Sequence, residues 1–306
     1  MIISASRRTD IPAFHAEWMM ERFRAGFAYV RNPFNARQVS RVSLTGEDAE
    51  AIVFWTKDAA NILSCLDELD GMGHRYLFQY TFTPYGRDIE KGVDKRRSME
   101  ALLSLSAKIG KQRVIWRYDP ILLTEEWTAE KHIRTFEKMC GRLEGAADRC
   151  VISFVDLYAE VRRRAPQIHA PDEEQMRLMA REIARLARAH GMIPSACAEK
   201  MDFSGEGLEA RGCIDAEDVG RLLGVKIEAR RDDTQRGACR CVKSVDIGAY
   251  DTCAHGCLYC YARTGRHPAE ECDVYSPLLR GHVGEADRVT ERKEKRAVPH
   301  QISLFD

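Results

Sequence analysis

Short runs of apolar, β-branched and aromatic residues alternate with longer amphipathic stretches through the first two thirds of the chain. The runs Ile2–Ser6, Phe27–Arg31, Ala51–Thr56, Tyr76–Thr81, Arg113–Tyr118, Cys150–Val155 and Met192–Ala196 predict strands. Between them, Asp58–Leu69, Ser98–Ile109, Ala129–Leu143 and Asp172–His190 carry apolar residues at a period of about 3.6, several with Gly at the end, and predict helices. Strand–helix alternation over this length argues for an α/β fold, a parallel sheet covered by helices. Seven strands come close to filling a (β/α) barrel. A barrel, complete or partial, is the leading expectation, and a doubly wound open sheet is the alternative.

The residues after each strand carry more information than the strands. They read Ser6-Arg7-Arg8-Thr9-Asp10, Arg31-Asn32-Pro33-Phe34-Asn35, Trp55-Thr56-Lys57, Gln79-Tyr80-Thr81, Arg117-Tyr118-Asp119-Pro120, Asp156-Leu157-Tyr158 and Cys197-Ala198-Glu199. In β/α barrels the active site is built at the C-terminal ends of the strands. Strand ends are exposed and polar by default, so one such end proves little. Seven of them, with Arg and Asp set inside an apolar run such as VIWRYDPILL, point to a shared polar cavity. Arg7, Arg8, Asp10, Lys57, Gln79, Arg117, Asp119, Asp156, Tyr158 and Glu199 are the candidates for binding cofactor and substrate. Cations this close to a buried sheet need partners, which Asp10, Asp119, Asp156 and Glu199 can supply.

Composition narrows the class of function. The 306 residues balance 47 Lys and Arg against 47 Asp and Glu, so no global positive field attracts nucleic acid. The opening MIISASRRTDIPAF has charge where a signal peptide needs its apolar run, and no apolar stretch is long enough to span a bilayer. A cytoplasmic protein with no membrane partner is expected. In a reducing compartment, clustered thiols serve metal binding or catalysis more often than disulfides. Eight of the 11 cysteines fall within the last 110 residues. Cys65, Cys140 and Cys150 lie singly in apolar surroundings and read as small buried hydrophobes.

The densest group is DTCAHGCLYCYARTG, where Cys253, Cys257 and Cys260 follow a C-x3-C-x2-C spacing with Tyr259 and Tyr261 around the last. Three thiolates leave one iron of a [4Fe–4S] cluster open to a substrate or cosubstrate. Zinc competes, but its sites pair C-x2-C units and add a fourth Cys or His; His255, inside the loop, could not easily complete a tetrahedron. Upstream, QRGACRCVKS places Cys239 and Cys241 on one side of an extended chain. With Cys197 and Cys213 they make four ligands, enough for a second [4Fe–4S] cluster or a structural zinc; four unrelated thiols is the alternative. Cys272 is left unassigned.

The spacing with an aromatic before the third Cys resembles the signature of the radical S-adenosylmethionine superfamily. That resemblance implies a cluster on Cys253, Cys257 and Cys260, with Tyr259 in the cofactor-binding motif. It also implies S-adenosylmethionine on the open iron, reductive cleavage to a 5′-deoxyadenosyl radical, and an electron donor such as flavodoxin or ferredoxin. In that superfamily the motif follows the first barrel strand, yet here SRRTD contains no cysteine. Either the barrel is rearranged, or a C-terminal segment folds back over the barrel mouth; a cluster that only transfers electrons also fits. Within the superfamily, CLYCY is most similar to the motif of spore photoproduct lyase, which reverses a thymine photodimer. Over nearly its whole length the chain resembles the bacterial family catalogued as domain of unknown function 1848. That likeness runs through MIISASRRTDIPAF, VRNPFN, QVSRVSL, AIVFWTK, VIWRYDPILLT, CVISFVDLY, VDIGAYDTC and HGCLYCYA, and implies an iron–sulfur site without a reaction.

The tail RVTERKEKRAVPHQISLFD ends on Gln301, Ile302, Ser303, Leu304 and Phe305. This pentapeptide resembles the motif with which bacterial repair and replication proteins dock on the DNA sliding clamp; docking of Leu304 and Phe305 back on their own domain is the alternative. The expected organisation is a barrel-like domain over 1–225, an iron–sulfur segment over 226–285, and a basic linker with docking tail over 286–306. The expected function is a radical S-adenosylmethionine [4Fe–4S] enzyme acting in DNA repair or nucleic-acid modification. The alternative is a non-radical iron–sulfur or zinc protein, or adaptor, associated with DNA.

Overall fold

In the computed structural model, residues 1–228, 230–265, 272–293 and 297–298 are described. Among these residues eleven strands and eight helices follow one another: β1 Ile2–Ala5, α1 Ile11–Phe14, α2 Ala16–Ala25, β2 Phe27–Asn32, β3 Asn35–Ser43, β4 Ala51–Thr56, α3 Leu66–Gly71, β5 Tyr76–Thr81, α4 Lys95–Ile109, β6 Val114–Ile121, α5 Ala129–Leu143, β7 Arg149–Phe154, α6 Ala159–Arg164, α7 Glu173–Ala189, β8 Ile193–Ala196, β9 Glu209–Ala210, α8 Ala216–Leu223, β10 Val245–Asp246 and β11 Arg288–Glu291. Eight strands form one sheet in the order β10-β1-β4-β5-β6-β7-β8-β9. Every pair in it is parallel.

Both faces of this sheet are covered, which is why its strands read as nearly continuous apolar runs. Alternate residues such as Ile3, Ile52, Phe54, Phe78, Trp116 and Ile152 pack with helix residues including Trp18, Leu102, Phe136 and Ile183. The intervening positions, Ile2, Ala51, Val53, Leu77, Ile115 and Val151, meet a different layer built from the later chain: Cys213, Ile214, Val219, Ile227, Cys239, Cys241 and Val242. The cysteine-bearing segment therefore lies against one face of the sheet.

From β1 to β9 the strands stand in chain order, as in a barrel. Among the described residues no ladder joins β9 to β10. A backbone hydrogen bond, Val242 N to Ile214 O at 2.9 Å, links the chain entering β10 to the chain leaving β9.

The expected strand at Phe27–Arg31 forms as β2 but leaves the main sheet. It pairs antiparallel with β3, which pairs parallel with β11. Turn chemistry explains this: the Asn32 side chain accepts from Phe34 N at 2.9 Å and closes a hairpin at Asn-Pro. β3 is also largely exposed over its first half, unsuited to a sheet covered on both faces. Residues 31–35 thus stand away from the other strand ends. The expected helix Asp58–Leu69 shortens to a 3-10 turn at Leu63–Cys65 followed by α3. Asp58 bonds the Ala60 amide and Asn61 reaches the Ala13 carbonyl, both competing with regular helix. Within the expected linker, Arg288–Glu291 pair with β3 as β11. Gln301, Ile302, Ser303, Leu304 and Phe305 lie outside the described residues. No helix among the described residues is long and apolar enough to cross a membrane.

Candidate functional site

A cavity of about 380 Å³ opens at the C-terminal ends of the strands. Arg7, Arg8 and Asp10 after β1, Lys57 after β4, Arg117 and Asp119 on β6, and Asp156 and Tyr158 after β7 all line it. So do seven cysteines: Cys197, Cys213, Cys239, Cys241, Cys253, Cys257 and Cys260. Residues separated by up to some 250 positions in sequence converge there because the later chain returns across the sheet.

The loop carrying Cys253, Cys257 and Cys260 is fastened at several points. Arg164, at the end of α6, donates to three of its carbonyls: Leu258 O at 2.8 Å, Cys260 O at 2.7 Å and Arg263 O at 2.9 Å. The 86–92 loop adds Leu258 N to Ile89 O at 2.9 Å and Gly92 N to His255 O at 2.8 Å. A Cβ on Gly92 would lie 2.7 Å from Ala254 O, so only glycine permits this approach. His255 Nε2 pairs with Asp10 at 2.8 Å, and Asp10 also accepts from Lys57 N at 2.7 Å while capping α1. Tyr261 donates to the Arg7 carbonyl at 2.7 Å. His255 is thus turned toward Asp10, and its other ring nitrogen, Nδ1, is buried without a partner among the described residues.

Beside Cys257 lies a buried charge centre. Glu90, fully buried, accepts from Lys57 Nζ at 2.8 Å and Thr83 Oγ1 at 2.6 Å, and also from Lys95 and the Tyr259 hydroxyl. Burial would raise its carboxyl, but the two ammoniums dominate and pull it down to about 2. The lysines differ. Burial lowers both, yet Glu90 and Cys257 leave Lys57 raised, whereas repulsion from Lys57 helps keep Lys95 lowered. Burial pushes the Cys257 thiol up to about 12 despite Lys57, and raises Cys253 as well.

The other four cysteines meet around Trp55. Cys197 and Cys213 are joined as a disulfide. Arg117 Nη1 donates to Cys213 Sγ at 2.7 Å and to Gln79 Oε1 at 3.3 Å. Gln79 in turn donates to Cys213 O at 2.5 Å. Arg117 and Arg7 both stack on the Trp55 ring, at 5.1 and 5.2 Å from its centroid. Cys241 Sγ accepts from Ile214 N at 3.4 Å, and Cys239 Sγ from Cys241 N at 3.5 Å. The hydrogen bond from Cys239, with help from Arg7, holds Cys241 down to about 5 against its burial. Among the described residues, no three Cys, His, Asp or Glu side chains are grouped to hold a metal ion.

Asp119 pairs with Arg117 and Ser153, and these outweigh burial to keep its carboxyl low. Asp156 pairs with Arg236 at the rim. Two candidates do not line the cavity. Gln79 is buried behind Arg117, and Glu199 faces a smaller cavity of about 90 Å³ that shares Ala198 with the first. Burial raises Glu199 to about 7, opposed by its bond from Phe154 N at 2.8 Å. Sequence reasoning missed Glu90, Arg164 and Asp246. Asp246 accepts from Ser4, Ser6 and the Arg7 amide at 2.7 to 2.8 Å and so fixes the turn after β1. VDIGAY after an apolar Val was the available signal for Asp246; GRDIEKG and EVRRRAP gave none.

The chain matches the family described as "Domain of unknown function (DUF1848)" over residues 2–262. No curated protein and no solved structure matches it.

Proposed function

The chain belongs to the DUF1848 family, and from that premise we propose that it is a radical S-adenosylmethionine enzyme, its [4Fe–4S] cluster held by Cys253, Cys257 and Cys260. The observation that carries the reading is their placement. Three cysteines of one anchored loop line a cavity whose other walls are the charged strand ends of a parallel sheet. The donor set fits: three thiols at C-x3-C-x2-C spacing suit a cluster with one open iron, and Lys57 offers positive charge beside Cys257. A cluster held there would supply one-electron reduction of S-adenosylmethionine, itself recharged by an external electron donor.

The chain's own residues then have definite tasks. Arg164 and the 86–92 loop fix the cysteine loop. Arg8, stacked on Tyr250 and 3.9 Å from Asp246, keeps a cation at the mouth for a carboxylate. Asp10, Asp119 and Asp156 are acceptors for amino and hydroxyl groups, and the apolar walls of Trp55, Phe154 and Val155 exclude water. A barrel-like arrangement of the sheet, with the later chain across its inner side, is part of the same proposal. The QISLF tail supports recruitment to the sliding clamp, and with it DNA as the setting of the reaction.

The test is spectroscopic. Under anaerobic reduction, added S-adenosylmethionine should change the EPR signal of the cluster in the wild-type chain, and Cys257→Ala should lose that response. A wild-type signal indifferent to S-adenosylmethionine would refute the assignment.

A further inference from the structure

We propose that Cys197, Cys213, Cys239 and Cys241 hold a second metal centre, a [4Fe–4S] cluster ligated by four thiolates. They come from three separate stretches: the end of β8, the turn before α8 and the C-x-C before β10. All four are buried, and all four line one cavity.

The polar groups around them are aimed at sulfur. Arg117 Nη1 donates to Cys213 Sγ, the Ile214 amide to Cys241 Sγ and the Cys241 amide to Cys239 Sγ. Arg7 interacts electrostatically with the Cys241 sulfur, and among the described residues its buried Nη2 has no other hydrogen-bond partner. The Cys197–Cys213 disulfide is a weak acceptor with no charge, and would leave the Arg117 donor poorly rewarded. Thiolates carrying the charge of a cluster call for such donors, since hydrogen bonds to sulfur and local charge set a cluster's potential. Two guanidiniums stacked on one indole serve opposite halves of the set, Arg117 the Cys213 side and Arg7 the Cys241 side.

The cavity gives a cluster room beside the four sulfurs. A lone zinc would draw them onto one point at about 2.3 Å, and either occupant requires the Cys197–Cys213 bond to open. A cube gives each thiolate its own iron and spreads the ligands. Loading requires reduction of the Cys197–Cys213 bond: two electrons from a dithiol such as dithiothreitol break S–S and leave two thiolates, the dithiol becoming a disulfide. With four protein ligands no iron is open, so this centre carries electrons rather than binding cosubstrate.

The proposal stands apart from the reading of the first site, and its test separates the two. The full-length triple variant Cys253→Ala/Cys257→Ala/Cys260→Ala, reduced with dithiothreitol and reconstituted anaerobically with ferrous iron and sulfide, should retain about four irons and about four sulfides. Its dithionite-reduced EPR signal should ignore S-adenosylmethionine. Adding Cys239→Ser/Cys241→Ser should remove that iron. No iron in the triple variant, or zinc alone when both metals are offered, overturns the proposal. Should the triple variant fail to fold, wild type against Cys239→Ser/Cys241→Ser decides: a fall from about eight irons to about four supports the second centre, and equal iron in both refutes it.

Discussion

Replacing Glu90 by Gln removes the one carboxylate shared by Lys57 and Lys95 while keeping the volume of the side chain. The cost can be worked from the site. The Glu90 carboxyl falls from its ordinary 4.5 to about 2 in the folded chain, which at about 1.36 kcal/mol per pH unit is about 3 kcal/mol of stability. That agrees with the roughly 3–5 kcal/mol lost when one partner of a buried ion pair is deleted and the other is left charged. Because the folded pKa lies below the unfolded one, this contribution is complete above about pH 4.5 and disappears as the pH falls toward 2. Urea unfolding at neutral pH should therefore show Glu90→Gln about 3 kcal/mol less stable, with the gap closing in acid. The Glu90 carboxylate also accepts from the Tyr259 hydroxyl in the cysteine loop, so with the proposed cluster bound the variant should release iron faster. A variant within about 0.5 kcal/mol of wild type at neutral pH would refute the account of this charge centre.

Three further outcomes follow from the same geometry. Arg164→Ala should free the three carbonyls of the cysteine loop at a local cost of roughly 2 kcal/mol, seen as roughly 30-fold faster iron transfer to a chelator with little change in the unfolding midpoint; an unchanged rate would count against the clamp. Glu199 holds its proton up to about 7 in the folded chain, so its stability contribution falls as the pH rises from about 4.5 to 7; with the shift discounted for the solvent that reaches this half-buried group, Glu199→Gln should gain about 2 kcal/mol over wild type at pH 8 but nothing at pH 4. Equal melting at pH 8 would argue against a buried carboxyl. Deleting residues 301 to 306 should abolish roughly micromolar binding to the DNA sliding clamp, measured by calorimetry, and leave cofactor cleavage intact; loss of the fold or of iron would assign the tail to the domain instead.

The α/β character was legible because period 2 and period 3.6 are local. Ala129–Leu143 matches α5 in both bounds, helped by the Thr128 cap on Lys131 N. Sheet membership was not legible: Phe27–Asn32 looks like the other strands, and only its hairpin partner β3 shows that it belongs elsewhere. Strand ends were a good guide to the cavity because position after a parallel strand fixes the side of the sheet. Gln79 and Glu199 departed from it, since a residue just before or after the turn can point behind or beside its neighbours. The cysteines were found by type and spacing. Glu90 and Arg164 were hidden because a lone charged residue in a polar stretch carries no trace of burial or of a carbonyl partner far away in sequence.

The loop of Cys253, Cys257 and Cys260 is where the proposed chemistry begins. Its most direct measurement is anaerobic incubation of the reconstituted chain with dithionite and S-adenosylmethionine, followed by chromatography for 5′-deoxyadenosine. The wild-type chain should yield 5′-deoxyadenosine and Cys257→Ala none. Iron-loaded wild-type protein that yields no 5′-deoxyadenosine would contradict the proposed chemistry.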